Sequence, residues 1–190
     1  MTASTPREYF EAMYAQHRDP WNFETSAYEQ RKYEVTLAAL PRWRYTNAFE
    51  PGCSIGMLTE MLAARCQRVL ACDVVTGALL QTAERLKDYR NVRVEERSIP
   101  KDWPDEMFDL IVLSEIAYYF DESTLGEIMR LVVDSTSVGA HVIGVHWRGD
   151  TDYPLSGDRT HELINETEHL ERRVHLMDDE FVLDVWQRSE

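Results

Sequence analysis

A chain of 190 residues with 44% apolar residues, 8 glycines and 7 prolines suits a single α/β domain able to bury a sizeable core. Its formal charge of -14 argues against nucleic acid, whose phosphates need clustered Lys and Arg; it suits a cationic or neutral partner, or simply a solubility surface. No apolar run approaches the ~20 residues of a bilayer span, and the first residues lack a secretory apolar core. The 3 cysteines show no C-x-x-C spacing, so reduced thiols in a cytoplasmic protein and no zinc site are expected.

Taken in chain order, residues 1–16 carry a short amphipathic helix pattern through Tyr9, Phe10, Met13 and Tyr14. Residues 19–23 (Asp-Pro-Trp-Asn-Phe) read as an aromatic turn. A helix is expected over 26–40, with Ser26 and Glu29 as a capping box and Pro41 at its end. Strands at 47–50, 69–73, 91–95, 108–113 and 140–146 alternate with helices at 58–66, 76–86 and 123–133. The tail differs: a polar loop over 151–158, a helix over 161–169, then strands at 172–177 and 180–187 joined by Asp178-Asp179. Such alternation followed by a hairpin predicts a seven-stranded mixed sheet whose last strand is antiparallel.

The chemistry gathers at 48–56, Ala-Phe-Glu-Pro-Gly-Cys-Ser-Ile-Gly. Glycines there let a backbone approach a ligand where a Cβ would block it. A dinucleotide fingerprint starting at Gly52 would need glycine at Ser54 and Met57, and the G-K-[ST] ending of a phosphate loop is missing. What remains is an acid, Glu50, placed to meet a ligand's ammonium. Asp73 ends the next strand, 21 residues after Gly52, where a carboxylate accepts ribose hydroxyls or caps a helix.

These stretches, with Cys72-Asp73 and Phe108 to Glu115, resemble the motifs of class I S-adenosylmethionine-dependent methyltransferases. Asp19-Pro-Trp21, Tyr28-Glu29, Lys32-Tyr33 and the 152–157 run Asp-Tyr-Pro-Leu-Ser-Gly are similar to the nodulation protein S family. The resemblance implies a Rossmann-like α/β fold with helices on both faces, one domain over 1–190, and residues 1–45 as a helical cap over the cofactor. It also implies S-adenosylmethionine as cofactor, S-adenosylhomocysteine as product, and an amino-sugar or oligosaccharide acceptor. By position, Glu50, Gly52, Cys53, Ser54 and Gly56 would line the methionine part, Asp73 would hold the ribose, and Ser98 and Ile99, with Arg97, would meet the adenine. Ser114 to Tyr119 would form the floor beneath the acceptor. Ser54 stands where the common E-x-G-x-G-x-G pattern has its middle glycine, and Ser98 where many relatives carry an aspartate.

Trp21, Tyr28 and one cation of the Arg31-Lys32 pair would cover the cofactor and its carboxylate; the two cations point about 100° apart on a helix, and the resemblance favours Lys32. His146 at the end of a strand, or water held by Glu115, would take the amine's proton. Tyr118 and Tyr119 are either core aromatics or a stacking platform. An O-methyltransferase of a small hydroxylated metabolite and a noncatalytic S-adenosylmethionine-binding protein are the alternative readings.

Overall fold

The computed structural model describes residues 3–190, so Met1 and Thr2 of the expected 1–16 helix lie outside the described residues. The described residues form two compact units. One is Pro6–Ser98; the other is Ile99–Glu190 with the described residues up to Thr5.

The first unit contains α1 (Arg7–Gln16), α2 (Ala27–Ala39), β1 (Tyr45–Pro51), α3 (Met57–Arg65), β2 (Cys66–Asp73), α4 (Thr76–Arg85) and β3 (Val92–Glu96). β2 lies between β1 and β3 and runs parallel to both, with Phe49 opposite Leu70 and Cys72 opposite Glu95. β1 is buried at every position except Thr46, as a parallel strand covered on both faces must be. Ser26 caps α2 by accepting Glu29 N–H at 3.3 Å. The reciprocal half of the capping box is absent, because Ser26 N–H donates to Asn22 O at 2.9 Å and the Glu29 carboxylate meets Lys32. Beyond α2, one guanidinium gathers the chain: Arg65 donates to the carbonyls of Leu37, Arg42 and Trp43 at 3.0, 2.7 and 2.6 Å. Helix-end carbonyls lack intrahelical donors, and the planar Arg fork supplies them.

The second unit contains β4 (Phe108–Ser114), a 3-10 turn (Ala117–Tyr119), α5 (Glu122–Asp134), β5 (Thr136–Trp147), α6 (Gly157–Asn165), β6 (Leu170–Met177) and β7 (Phe181–Arg188). Its strand order is β4-β5-β7-β6; β4 and β5 are parallel, and β7 is antiparallel to both its neighbours. The chain therefore has the seven-stranded mixed sheet expected, with three strands in the first unit and four in the second.

Two elements differ from the sequence reading. β5 starts at Thr136 rather than 140, since Gly139 adopts φ 86° and absorbs a register shift between Phe108 and Leu110 on β4. α6 starts at Gly157 rather than 161, because Ser156 Oγ caps it by accepting Arg159 N–H at 3.1 Å. It ends at Asn165, and the chain is already left-handed at His169, with φ 66°. Among the described residues no helix is long and apolar enough to cross a membrane.

Candidate functional site

The first unit brings Glu50, Gly52, Cys53, Ser54, Gly56 and Asp73 together at the carboxyl ends of β1 and β2. Gly52 N–H and Cys53 N–H both donate to Cys72 O, at 2.7 and 2.9 Å, so the turn after β1 is clipped onto the end of β2. Three of its residues have positive φ: Gly52 at 74°, Ser54 at 52° and Gly56 at 81°. Ser54 is thus tolerated because it sits in the small left-handed region open to L-residues. Its side chain is also held, its hydroxyl hydrogen-bonding to Tyr14 OH on α1. Gly56 is constrained differently, since a Cβ there would lie 2.8 Å from Thr82 Cγ2 on α4. Close packing of the helix after the turn requires a residue without a side chain.

Asp73 accepts Ser54 N–H at 2.9 Å on one oxygen and Val75 N–H at 3.0 Å on the other. A carboxylate has about four acceptor sites, so each oxygen keeps capacity for a further donor. Burial raises its pKa above the ordinary carboxylate value. Glu50 is in a harder position: it is buried, and its Oε2 has no hydrogen-bond partner among the described residues. Burial, with the charge of Asp73 adding to it, pushes its carboxyl up to about 8. A buried carboxyl with an unmet oxygen beside a second carboxylate fits a ligand bearing an ammonium and a pair of hydroxyls. Neighbouring Cys53 and Cys72 are buried free thiols, the latter pushed up to about 12 by its surroundings.

Trp21 is half-buried, 5.7 Å edge-on from Tyr14 and stacked on Phe23 at 5.6 Å. Lys32 points inward at 1% exposure while Arg31 is exposed. The Lys32 ammonium meets Glu29 at 3.0 Å and lies 4.7 Å over the ring of Tyr28. Arg97 N–H donates to Asp73 O at 3.1 Å, which brings the residues after β3 to the same end; Ser98 follows, half-buried.

In the second unit, β4 ends at half-buried Ser114, and Ile99 is buried. Glu115 takes φ 52°, a rare conformation for a glutamate. Its Oε2 accepts Tyr118 OH at 2.5 Å and Trp147 N–H at 3.1 Å. Tyr118, Tyr119 and Tyr153 form an aromatic cluster with centroids 4.6 to 5.1 Å apart. His146 is fully buried: Nε2 accepts Ala117 N–H at 3.1 Å and Nδ1 meets His161 Nε2 at 2.9 Å. His146, expected as the base, therefore has both ring nitrogens engaged, one by Ala117 N–H and the other by His161.

Sequence reading missed Tyr14, His161 and Asp184. Tyr14 looked like one more apolar-face residue of α1. Asp184 carried a usable signal, a lone acid inside the apolar run Phe181-Val-Leu-Asp-Val-Trp186. Among the described residues no His, Cys, Asp and Glu group is arranged to hold a metal ion.

The sheet order and the glycine turn with its two carboxylates define the class I methyltransferase fold. The crystal structure of a putative methyltransferase from Pseudomonas syringae is 37% identical, covering 86% of this chain and 100% of its own with a TM-score of 0.77. N-methyltransferase NodS from Bradyrhizobium japonicum WM9, solved with S-adenosyl-l-homocysteine, is 22% identical and covers 97% of this chain and 98% of its own, with a TM-score of 0.82.

The chain belongs to the Nodulation protein S (NodS) family, whose family model matches residues 9–144. Nodulation protein S of Sinorhizobium fredii is 34% identical over 105 residues, 55% of this chain and 49% of that protein. The chain spans about half the length of the curated relatives it matches, 49%, 53% and 49% of the first three.

Proposed function

We propose that the chain is an S-adenosylmethionine-dependent methyltransferase that N-methylates the amine of an amino-sugar or oligosaccharide acceptor. The observation that carries the reading is Glu50: a buried carboxyl with an unmet oxygen, beside Asp73, at the end of a glycine turn. Family membership and the relative solved with S-adenosyl-l-homocysteine point the same way.

When bound, the cofactor supplies a sulfonium-activated methyl group and a good leaving group. The chain's own residues bind, orient and exclude water. Glu50 takes the ammonium, Gly52, Cys53, Ser54 and Gly56 let the backbone approach, and Asp73 takes the ribose hydroxyls. Trp21, Tyr28 and Lys32, within a cap formed by residues 1–45, cover the methionine end. Ser98 and Ile99 flank the adenine, and Ser114 lies at the floor. The 1–190 chain works as one domain.

An amine must lose its proton before it attacks, and general-base help of this kind is typically worth ~10²-fold or more. With both nitrogens of His146 engaged, that task falls to Glu115, directly or through water. Tyr118 and Tyr119 are buried beneath half-buried Tyr153, which is the ring of this cluster placed to pack against a sugar. The -14 charge favours a cationic small acceptor over nucleic acid, and three cysteines in the thiol form suit the cytoplasm.

The test is product detection with S-adenosylmethionine and a panel of amino sugars, chito-oligosaccharides and hydroxylated controls. Methylated amine on an amino sugar is the expected product. Transfer to hydroxyls alone would make the chain an O-methyltransferase. Binding without turnover on any member would make it a noncatalytic binding protein.

A further inference from the structure

The second unit contains a buried chain of polar side chains to which methyl transfer, as set out above, gives no task. Its outer end is the exposed His175 on β6, whose Nδ1 lies 2.7 Å from Asp184 Oδ1. Asp184 itself is fully buried in β7, with Arg172 Nη1 a further 3.7 Å contact. Asp184 Oδ2 meets His161 Nδ1 at 2.6 Å, His161 Nε2 meets His146 Nδ1 at 2.9 Å, and His146 Nε2 receives Ala117 N–H at 3.1 Å. The line runs from the surface of β6, through β7, α6 and β5, to the loop that follows β4.

One assignment of protons satisfies every neutral ring in this line. A backbone N–H only donates, so His146 Nε2 carries the lone pair and Nδ1 the proton. His146 then donates to His161 Nε2, which leaves the proton of His161 on Nδ1, aimed at a carboxylate that only accepts. Each partner fixes the tautomer of the next.

The surroundings are built for this line. Gly144 on β5 lies opposite Asp184, and a Cβ there would sit 3.1 Å from the Trp186 ring and 3.4 Å from His161 Cε1. The inner end supports a strained segment, since Glu115 is held at φ 52° with its N–H on Val145 O at 2.9 Å. Such a conformation persists where the surroundings over-determine it. Ala117 is two residues on, and the Tyr118 ring lies 5.1 Å from that of His146. A buried carboxylate is costly against an apolar residue of the same volume, so a role in geometry accounts for it better than stability does.

We propose that His161 and Asp184 are positioning residues for methyl transfer. By holding His146 in its Nδ1–H tautomer they anchor Ala117 N–H, and with it the placement of Glu115 and Tyr118 against the acceptor. This rests on the methyltransferase reading above.

The test uses the full chain with His161→Gln and His161→Phe. Glutamine accepts from His146 through Oε1 and donates to Asp184 through Nε2, whereas phenylalanine does neither. Three quantities are read: the His146 tautomer and Ala117 amide by long-range 1H–15N correlation NMR, S-adenosylhomocysteine affinity by calorimetry, and single-turnover transfer to a deacetylated chito-oligosaccharide. Expected for His161→Phe are loss of the Nδ1–H tautomer, a shifted Ala117 amide and a rate down about 10²-fold, the scale of an ångström misplacement, with affinity unchanged. His161→Gln keeps the tautomer and comes within a few-fold of the parent rate. His161→Leu replaces the phenylalanine variant should that fail to fold.

Equal rates in all three proteins, or an unchanged tautomer in His161→Phe, would overturn the proposal, as would a parallel loss of cofactor affinity. A parent protein that binds no S-adenosylhomocysteine and transfers to no acceptor sinks the methyltransferase reading instead. The NMR comparison then still decides whether the line holds the loop.

Discussion

Two buried polar clusters, one in each unit, stand in opposite states. In the Pro6–Ser98 unit, Glu50 keeps an unmet oxygen and a pKa pushed up to about 8, and Asp73 has acceptor capacity beyond its two backbone donors. In the Ile99–Glu190 unit, His146, His161, Asp184 and His175 satisfy one another, and Glu115 already holds Tyr118. Unmet groups cost stability and call for a ligand, while closed networks fix shape. The first unit reads as a binding site in waiting and the second as a closed polar scaffold.

Substitutions can break that contrast, the largest effect first. Asp73→Ala removes the acceptor of Ser54 and Val75 N–H together with the carboxylate proposed to hold the ribose, so S-adenosylmethionine affinity should fall by about 10²-fold or more in calorimetry. Unchanged affinity would sink the assignment. Glu50→Gln should weaken binding by roughly tenfold, the scale of one charge-assisted hydrogen bond.

Glu50→Gln should also change how the unliganded protein responds to pH. The folded pKa of Glu50 is raised from 4.5 to about 8, so its contribution is fully present below 4.5 and is lost as pH rises towards 8. The parent should therefore lose Tm relative to Glu50→Gln between pH 5 and pH 8, and parallel curves would contradict the burial argument. Binding at pH 7 should release close to one proton, read from enthalpies in buffers of different ionisation heat.

Gly56→Ala combines a φ of 81° with a contact to Thr82, and should cost about 1–3 kcal/mol in denaturant unfolding. Tyr14→Phe is the mildest change. Losing its bond to Ser54 should cost about 1 kcal/mol and leave cofactor affinity within a few-fold.

Much of this was legible in the sequence where a single local rule governs. Glu50, Gly52, Gly56 and Asp73 stand at strand ends and turns, where residue type and spacing express backbone need directly. Helical geometry lets only one of Arg31 and Lys32 turn inward, and Lys32 is the buried one. His146 illustrates what spacing cannot convey. Its place at the end of β5 was readable, but its partners come from α6, β7 and the loop after β4, which only the folded chain assembles. Ser156 was overlooked as a cap because the polar run 151–158 resembled plain loop, and α6 therefore starts a turn earlier than its apolar periodicity suggested.

The three cysteines have a consequence for measuring time. All 3 are buried and in no disulfide, so the native chain shows no thiol to a water-soluble reagent. Modification must wait for local opening, and its rate then reports how often that opening occurs. Cys53 and Cys72 lie within the glycine-turn site, whereas Cys66 begins β2 at the far end of that strand. A molecule filling the site would slow the clocks at 53 and 72 and leave the one at 66 running as before.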